Sequence, residues 1–163
     1  MKEMKSIKLK SIQRKWYLID ANKQILGRLS TEVAMHLMGK NKSSYVPYLD
    51  CGDYVVIINA KNVKLSGKKE IQKKYYHHSG YPGGLYTKTA SEIRAKKPEF
   101  LIRHAVRGML PKTTLGKQML KKLYIYSDNK HPYSEKITTT DNTPKSVNNS
   151  SHDKIMSTVV AKK

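Results

Sequence analysis

Five consecutive apolar residues, Tyr54-Val55-Val56-Ile57-Ile58, constrain this chain more than any other stretch. A strand with one wet face alternates apolar and polar residues, and this run does not. It therefore reads as a strand covered on both faces, as in a parallel sheet packed between helices. Upstream, Trp16 to Ala21 reads as a first strand, and Leu26, Leu29, Val33 and Leu37 fall on one side of a helix from about Gly27 to Met38. Gly39 is placed to end that helix. Strand, helix and strand in about 45 residues predict a parallel crossover, right-handed by the usual rule. Val63 and Leu65 alternate with Asn62 and Lys64, which predicts a further short strand with one wet face.

The second half of the chain carries two basic helices joined by one tight turn. A helix is expected from near Thr89, broken before Pro98 and restarted there, because proline suits a first helical turn, where its missing N–H costs nothing. Ile102, Ala105, Val106 and Met109 then form an apolar stripe, with Arg103 and Arg107 four residues apart and off it. Gly108 is expected to end the helix in a left-handed conformation, and Pro111 prevents its continuation. Thr113 or Thr114 caps the next helix, with Leu115, Met119 and Leu120 inward and Lys117 and Lys121 outward. Leu123 to Tyr126 reads as a last strand. Strands and helices in this order give an α/β layered domain.

A chain of 163 residues holds one core and is too short for two ordinary domains. Its 32 Lys and Arg stand against 12 Asp and Glu, a formal net charge of +20. The charge is not a tail effect: four lysines and two aspartates follow Ile137, leaving 28 basic and 10 acidic residues before it, a net +18. Such an excess predicts a polyanionic partner, and nucleic acid fits it best. A membrane partner is not expected, since no apolar run approaches the roughly 18 residues needed to span. Cys51 is the only cysteine, so neither an intrachain disulfide nor a CxxC zinc site can form. Residues 1–13 read as a basic extension rather than a secretory signal, lacking a continuous apolar segment. Residues 14–137 read as the domain. From 138 to 163 the chain is rich in Thr, Ser and Asn without aromatics, and too little apolar surface predicts disorder.

Residues 66–88 are polar, aromatic and turn-rich, which predicts an extended excursion from the core. Lys68, Lys69, Lys73 and Lys74 interleave there with Tyr75, Tyr76, His77 and His78. Cations beside flat rings suit phosphate contacts and stacking on unpaired bases, and the glycines between Ser79 and Gly84 let backbone N–H groups approach phosphates. His77 and His78, as neighbours on an extended chain, point to opposite faces and make no metal pair. Asp20, Asp50 and Asp53 sit where aspartates usually hold turns by local backbone hydrogen bonds, so no acid–base role is assigned to them. Gly39-Lys40 and Gly67-Lys68 lack the earlier glycine of a phosphate-binding loop. Arg103, Arg107, Lys112, Lys117, Lys121 and Lys122 are the best candidates for a phosphate-binding face, extended by Lys40 and Lys42. Met109, Leu110 and Pro111 belong instead to core and turn. No cofactor, metal, catalytic residue or small-molecule substrate is indicated.

Val106-Arg107-Gly108-Met109-Leu110-Pro111, followed by Gly116-Lys117, Leu123, Ile125, Tyr126 and Asp128, resembles the signature of the family of the thirteenth large-subunit ribosomal protein. The likeness extends upstream through Leu26-Gly27-Arg28-Leu29, Gly52-Asp53, Ser66-Gly67-Lys68-Lys69 and His78-Ser79-Gly80-Tyr81-Pro82-Gly83-Gly84-Leu85, covering roughly residues 14 to 137. The resemblance implies a small, mostly parallel four-stranded sheet layered between helices. It also implies a structural protein that binds large-subunit rRNA early in assembly beside neighbouring ribosomal proteins, in a bacterial cytoplasmic or an organellar ribosome. The family commonly ends near His131-Pro132, so the tail departs from its pattern. Two rivals stay open on the residues alone: an enzyme acting on RNA, and a free regulatory or nucleoid-binding protein.

Overall fold

The structure, a computed structural model, describes residues 12–137, so the polar tail and nearly all of the basic extension lie outside the described residues. Its centre is a sheet of three parallel strands, β1 (Trp16–Asp20), β2 (Tyr54–Ile58) and β5 (Leu123–Ile125), in the order β1-β2-β5. The apolar run lies in the middle, as its lack of alternation requires, and Val55 to Ile58 are all buried. In register, Ile57 lies between Ile19 and Ile125, and Val55 lies beside Leu123. These residues face α1 (Leu26–Met38), α4 (Pro98–Met109) and α5 (Thr114–Leu120) in one apolar cluster with Leu29, Val33, Leu37, Ile102, Val106 and Met119.

The second face of the sheet is covered differently. Trp16 stacks on Tyr54, Tyr124 and Tyr133 at centroid distances of 4.5, 5.7 and 5.0 Å, and the short helix α6 (Ser134–Ile137) packs against β1. Lys136 Nζ lies 5.3 Å from the Trp16 ring, within cation–π range. Among the described residues this face is thus mainly aromatic where helices were expected.

A fourth parallel strand at Val63–Leu65 does not form. Asn59 turns the chain with a positive φ of 57° into a 3-10 turn at Ala60–Asn62. Beyond it, Lys64 forms an isolated bridge with Ile25, past the end of β1: its N–H donates to Gln24 and its carbonyl accepts from Leu26. Instead, β3 (Lys74–His78) and β4 (Leu85–Thr89) pair antiparallel as a separate two-stranded sheet.

Three helix ends follow local chemistry, and a fourth is an exception. Gly39 closes α1 at φ 77°, its N–H donating to His36 and Met35. The Thr89 hydroxyl caps α3 (Ala90–Lys96) by accepting from Glu92, and Thr113 caps α5 by accepting from Gly116. The exception is Gly108, which lies within α4, while the chain leaves through Leu110 in extended conformation with its N–H on Val106. The glycine that the tight turn demands is Gly116. A Cβ there would lie 1.9 Å from the Pro111 carbonyl oxygen, whereas one on Gly108 meets nothing within 4 Å. Met109 also departs from the expected stripe: it is 41% exposed, with Thr31 Oγ1 at 3.6 Å from its sulfur, while Leu110 turns into the core.

Candidate nucleic-acid interface

The β3–β4 hairpin stands on α3 and α4 through one ring. Tyr75 pairs across the hairpin with Lys88 and turns its side chain toward Ala90, Ile93 and Leu101. It meets Phe100 and His104 edge-on at 6.0 and 5.3 Å, and burial pushes its phenol pKa up. Below the hairpin, Arg94 Nη2 donates to Glu70 Oε2 at 3.0 Å, tying α3 to α2 (Lys69–Gln72), and Ala90 N–H donates to the Lys73 carbonyl. The excursion expected at residues 66–88 is therefore a braced projection. Lys68, Lys69, Lys73, Lys74, His77 and His78 are all exposed on it or at its base. Lys73 Nζ sits 5.3 Å from the Tyr75 ring. His77 pairs with Tyr86 and His78 with Leu85, so strand alternation sends the two imidazoles to opposite faces.

Helical spacing places Phe100, Arg103, His104 and Arg107 on one side of α4, and all four are exposed. Phe100 stacks on His104 at 5.5 Å. Tyr75 touches both rings, so hairpin and α4 form one surface of cations and aromatics. Lys112, Lys117 and Lys121 are also exposed, but α5 packs against α1, away from the hairpin's supports α2 and α3. Lys40 is exposed just past α1.

Two of the expected phosphate contacts are instead part of the fold. Lys42 Nζ donates to Asp53 Oδ1, to the Cys51 carbonyl at 3.0 Å and to the Gln13 carbonyl at 2.7 Å. Lys122 Nζ donates to Asp50 Oδ1 and lies 3.5 Å from the Leu37 carbonyl, with a side chain only 8% exposed. Burial pulls its pKa down, opposed by the Asp50 hydrogen bond. Asp50 holds its turn as expected, accepting from Gly52 N–H. Asp53, 3% exposed, works at long range through Lys42 and the Lys15 N–H. Asp20 accepts from Asn22 N–H and also from Asn59 Nδ2.

The turn glycines are partly committed as well. Gly80 N–H donates to His78 Nδ1 and Gly84 N–H to the Tyr81 carbonyl, which removes two donors expected to be free for phosphates. Conversely, Tyr86, Phe100, Lys96 and Lys97 were not among the expected site residues. They line, with Tyr75, a cleft of about 490 Å³ between hairpin and helices. The signal was their exposure beside a cationic segment, which requires knowing that the hairpin folds onto α4. Among the described residues, no group of three or more His, Cys, Asp and Glu side chains is placed to hold a metal, and no helix is long and apolar enough to cross a membrane.

The family model for ribosomal protein L13 matches residues 14–132. A large ribosomal subunit protein uL13 from Geobacillus kaustophilus is 54% identical over 122 residues, covering 75% of this chain and 84% of that protein. A protein of the same name from Thermosipho africanus is 52% identical over 128 residues, covering 78% and 86%. Another, from a Nitratiruptor species, is 50% identical over 137 residues, covering 84% and 98%. On this match, the chain belongs to the ribosomal protein L13 family, a structural and non-enzymatic constituent of the large ribosomal subunit.

Proposed function

We propose that the chain serves the large subunit by binding its rRNA through the hairpin and α4 surface, extended by the exposed lysines of α5. One observation carries this reading. Lys68, Lys69, Lys73, Lys74, Arg103 and Arg107 are exposed around aromatic rings on elements braced by a neutral core, while Lys42 and Lys122 are consumed internally. A fixed array of cations neutralises phosphates where RNA segments converge, and folding sets its register before RNA arrives. Lys112, Lys117, Lys121 and Lys40 add phosphate contacts at a distance. Neighbouring large-subunit proteins are the second class of partner, and the chain enters the particle early, while those segments are still free to be gathered.

The test is a salt titration of the full chain with a large-subunit rRNA fragment. About eight phosphate contacts give a log–log slope of affinity against salt near −7, and a flat dependence overturns the reading. Early entry is checked in assembly precursors separated by sedimentation. The chain is expected in the lightest large-subunit precursors, and its appearance only in mature particles overturns early entry.

A further inference from the structure

The cleft between the β3–β4 hairpin and the α3–α4 helices is built unlike the rest of the basic surface. Its volume of about 490 Å³ falls in the range of roughly 300–1,000 Å³ typical of small-ligand sites. Tyr75 and Ile93, both packed into the smaller apolar cluster, line its inner part. Tyr86 and Phe100 line it while remaining 60% and 43% exposed, an arrangement that core packing does not require. Phe100 is held in orientation by the His104 ring stacked on it and the Tyr75 edge. Lys88, Lys96 and Lys97 also line the cleft, and Glu92 is the one acid among its lining residues.

We propose that this cleft receives one unstacked base of a single-stranded RNA segment, with Phe100 and Tyr86 as stacking surfaces and the three lysines on its flanking phosphates. The proposal rests on the RNA-binding reading above and deepens it. A duplex keeps its base faces covered by their neighbours and cannot enter a space of this size, whereas an extruded base offers a flat π-face to aromatic walls. Three cations against one carboxylate match the phosphates on either side of that base. The Glu92 carboxylate, which only accepts hydrogen bonds, suits the amino groups of adenine, cytosine or guanine.

The experiment uses the full chain and a twelve-nucleotide single-stranded RNA of mixed sequence, beside the same sequence as a duplex. Phe100→Ala and Tyr86→Ala are each expected to weaken single-strand binding about tenfold at fixed salt, with the salt slope and duplex binding unchanged. Circular dichroism monitors folding, and Phe100→Leu, which keeps the apolar contact with Tyr75, is expected to weaken the single strand as well. Irradiation of a strand carrying 5-iodouridine is expected to crosslink Tyr86 or Phe100. Unchanged single-strand affinity in both alanine variants, equal losses for strand and duplex, or crosslinks from intact subunits joining Tyr86 to protein overturn the cleft proposal. Failure of the unsubstituted chain to bind either RNA form overturns the RNA-binding reading itself, so the two failures are distinguishable.

Discussion

Lysines that look alike in sequence divide into two populations by what surrounds their ammonium groups. Lys42 and Lys122 each face a carboxylate of low exposure, Asp53 and Asp50. Removing either lysine leaves a poorly solvated carboxylate without its nearest cation, Asp50 keeping only the more exposed Arg14 at 3.8 Å. Lys42→Ala and Lys122→Ala are therefore expected to cost about 3–5 kcal/mol each in urea unfolding while leaving the salt slope of RNA binding unchanged. Lys117→Gln and Arg107→Gln should do the reverse, lowering the slope by about one unit and moving stability by less than about 0.5 kcal/mol. Equal behaviour of the two sets in both assays would refute the division. The two glycines beside the α4–α5 turn give a second contrast. Gly108→Ala gains a better helix former in open space and should stabilise by about 0.5–1 kcal/mol. Gly116→Ala, driven against the Pro111 carbonyl, should destabilise by about 1–3 kcal/mol or more. Thermal unfolding of the two variants reads the signs directly.

Among elements, the β3–β4 hairpin depends most on its neighbours. Two strands alone are marginal in water, and this pair borrows stability from Tyr75, the Arg94–Glu70 pair and the Thr89 cap that leads into α3. Tyr75→Ala should cost about 2 kcal/mol. It should also accelerate hydrogen exchange at the amides of Lys74–His78 and Leu85–Thr89 while those of Trp16–Asp20 and Tyr54–Ile58 stay protected. Uniform acceleration through the central sheet would show instead that the hairpin folds as one unit with the body. The central elements show the other extreme. Helix α1 and strand β2 carry their own burial pattern, so periodicity finds them. Lys64 has the alternation of a strand around it and fails to form one, because a ladder needs a neighbour in register and β1 ends at Asp20.

For the whole molecule, the net charge of +20 acts on stability and on binding in opposite senses. Like charges on one compact body repel, and salt screens them over about 10 Å at 0.1 M. The thermal midpoint of the free protein is expected to rise between 20 and 300 mM salt, in about the range where RNA affinity falls steeply. A midpoint that falls with salt would mean that its ion pairs, not its repulsion, dominate. Much of this was legible from sequence, because excess charge, a non-alternating apolar run, proline at a helix start and threonine at a cap all act locally or in sum. Arg103, Arg107, Lys117 and the hairpin lysines could be nominated as surface cations by that reasoning, and they are exposed. What the sequence by itself determined is thus the α/β class, the apolar face of α1, the basic character and, through its spaced motifs, the family. Tertiary structure alone decided that Lys42 and Lys122 neutralise Asp53 and Asp50, that the sheet has three strands among the described residues, and that Tyr86 and Phe100 share a cleft. Each of these depends on which distant group lies within a few ångströms. A local pattern shows which way a side chain points from its own backbone, but only the folded chain supplies what it meets.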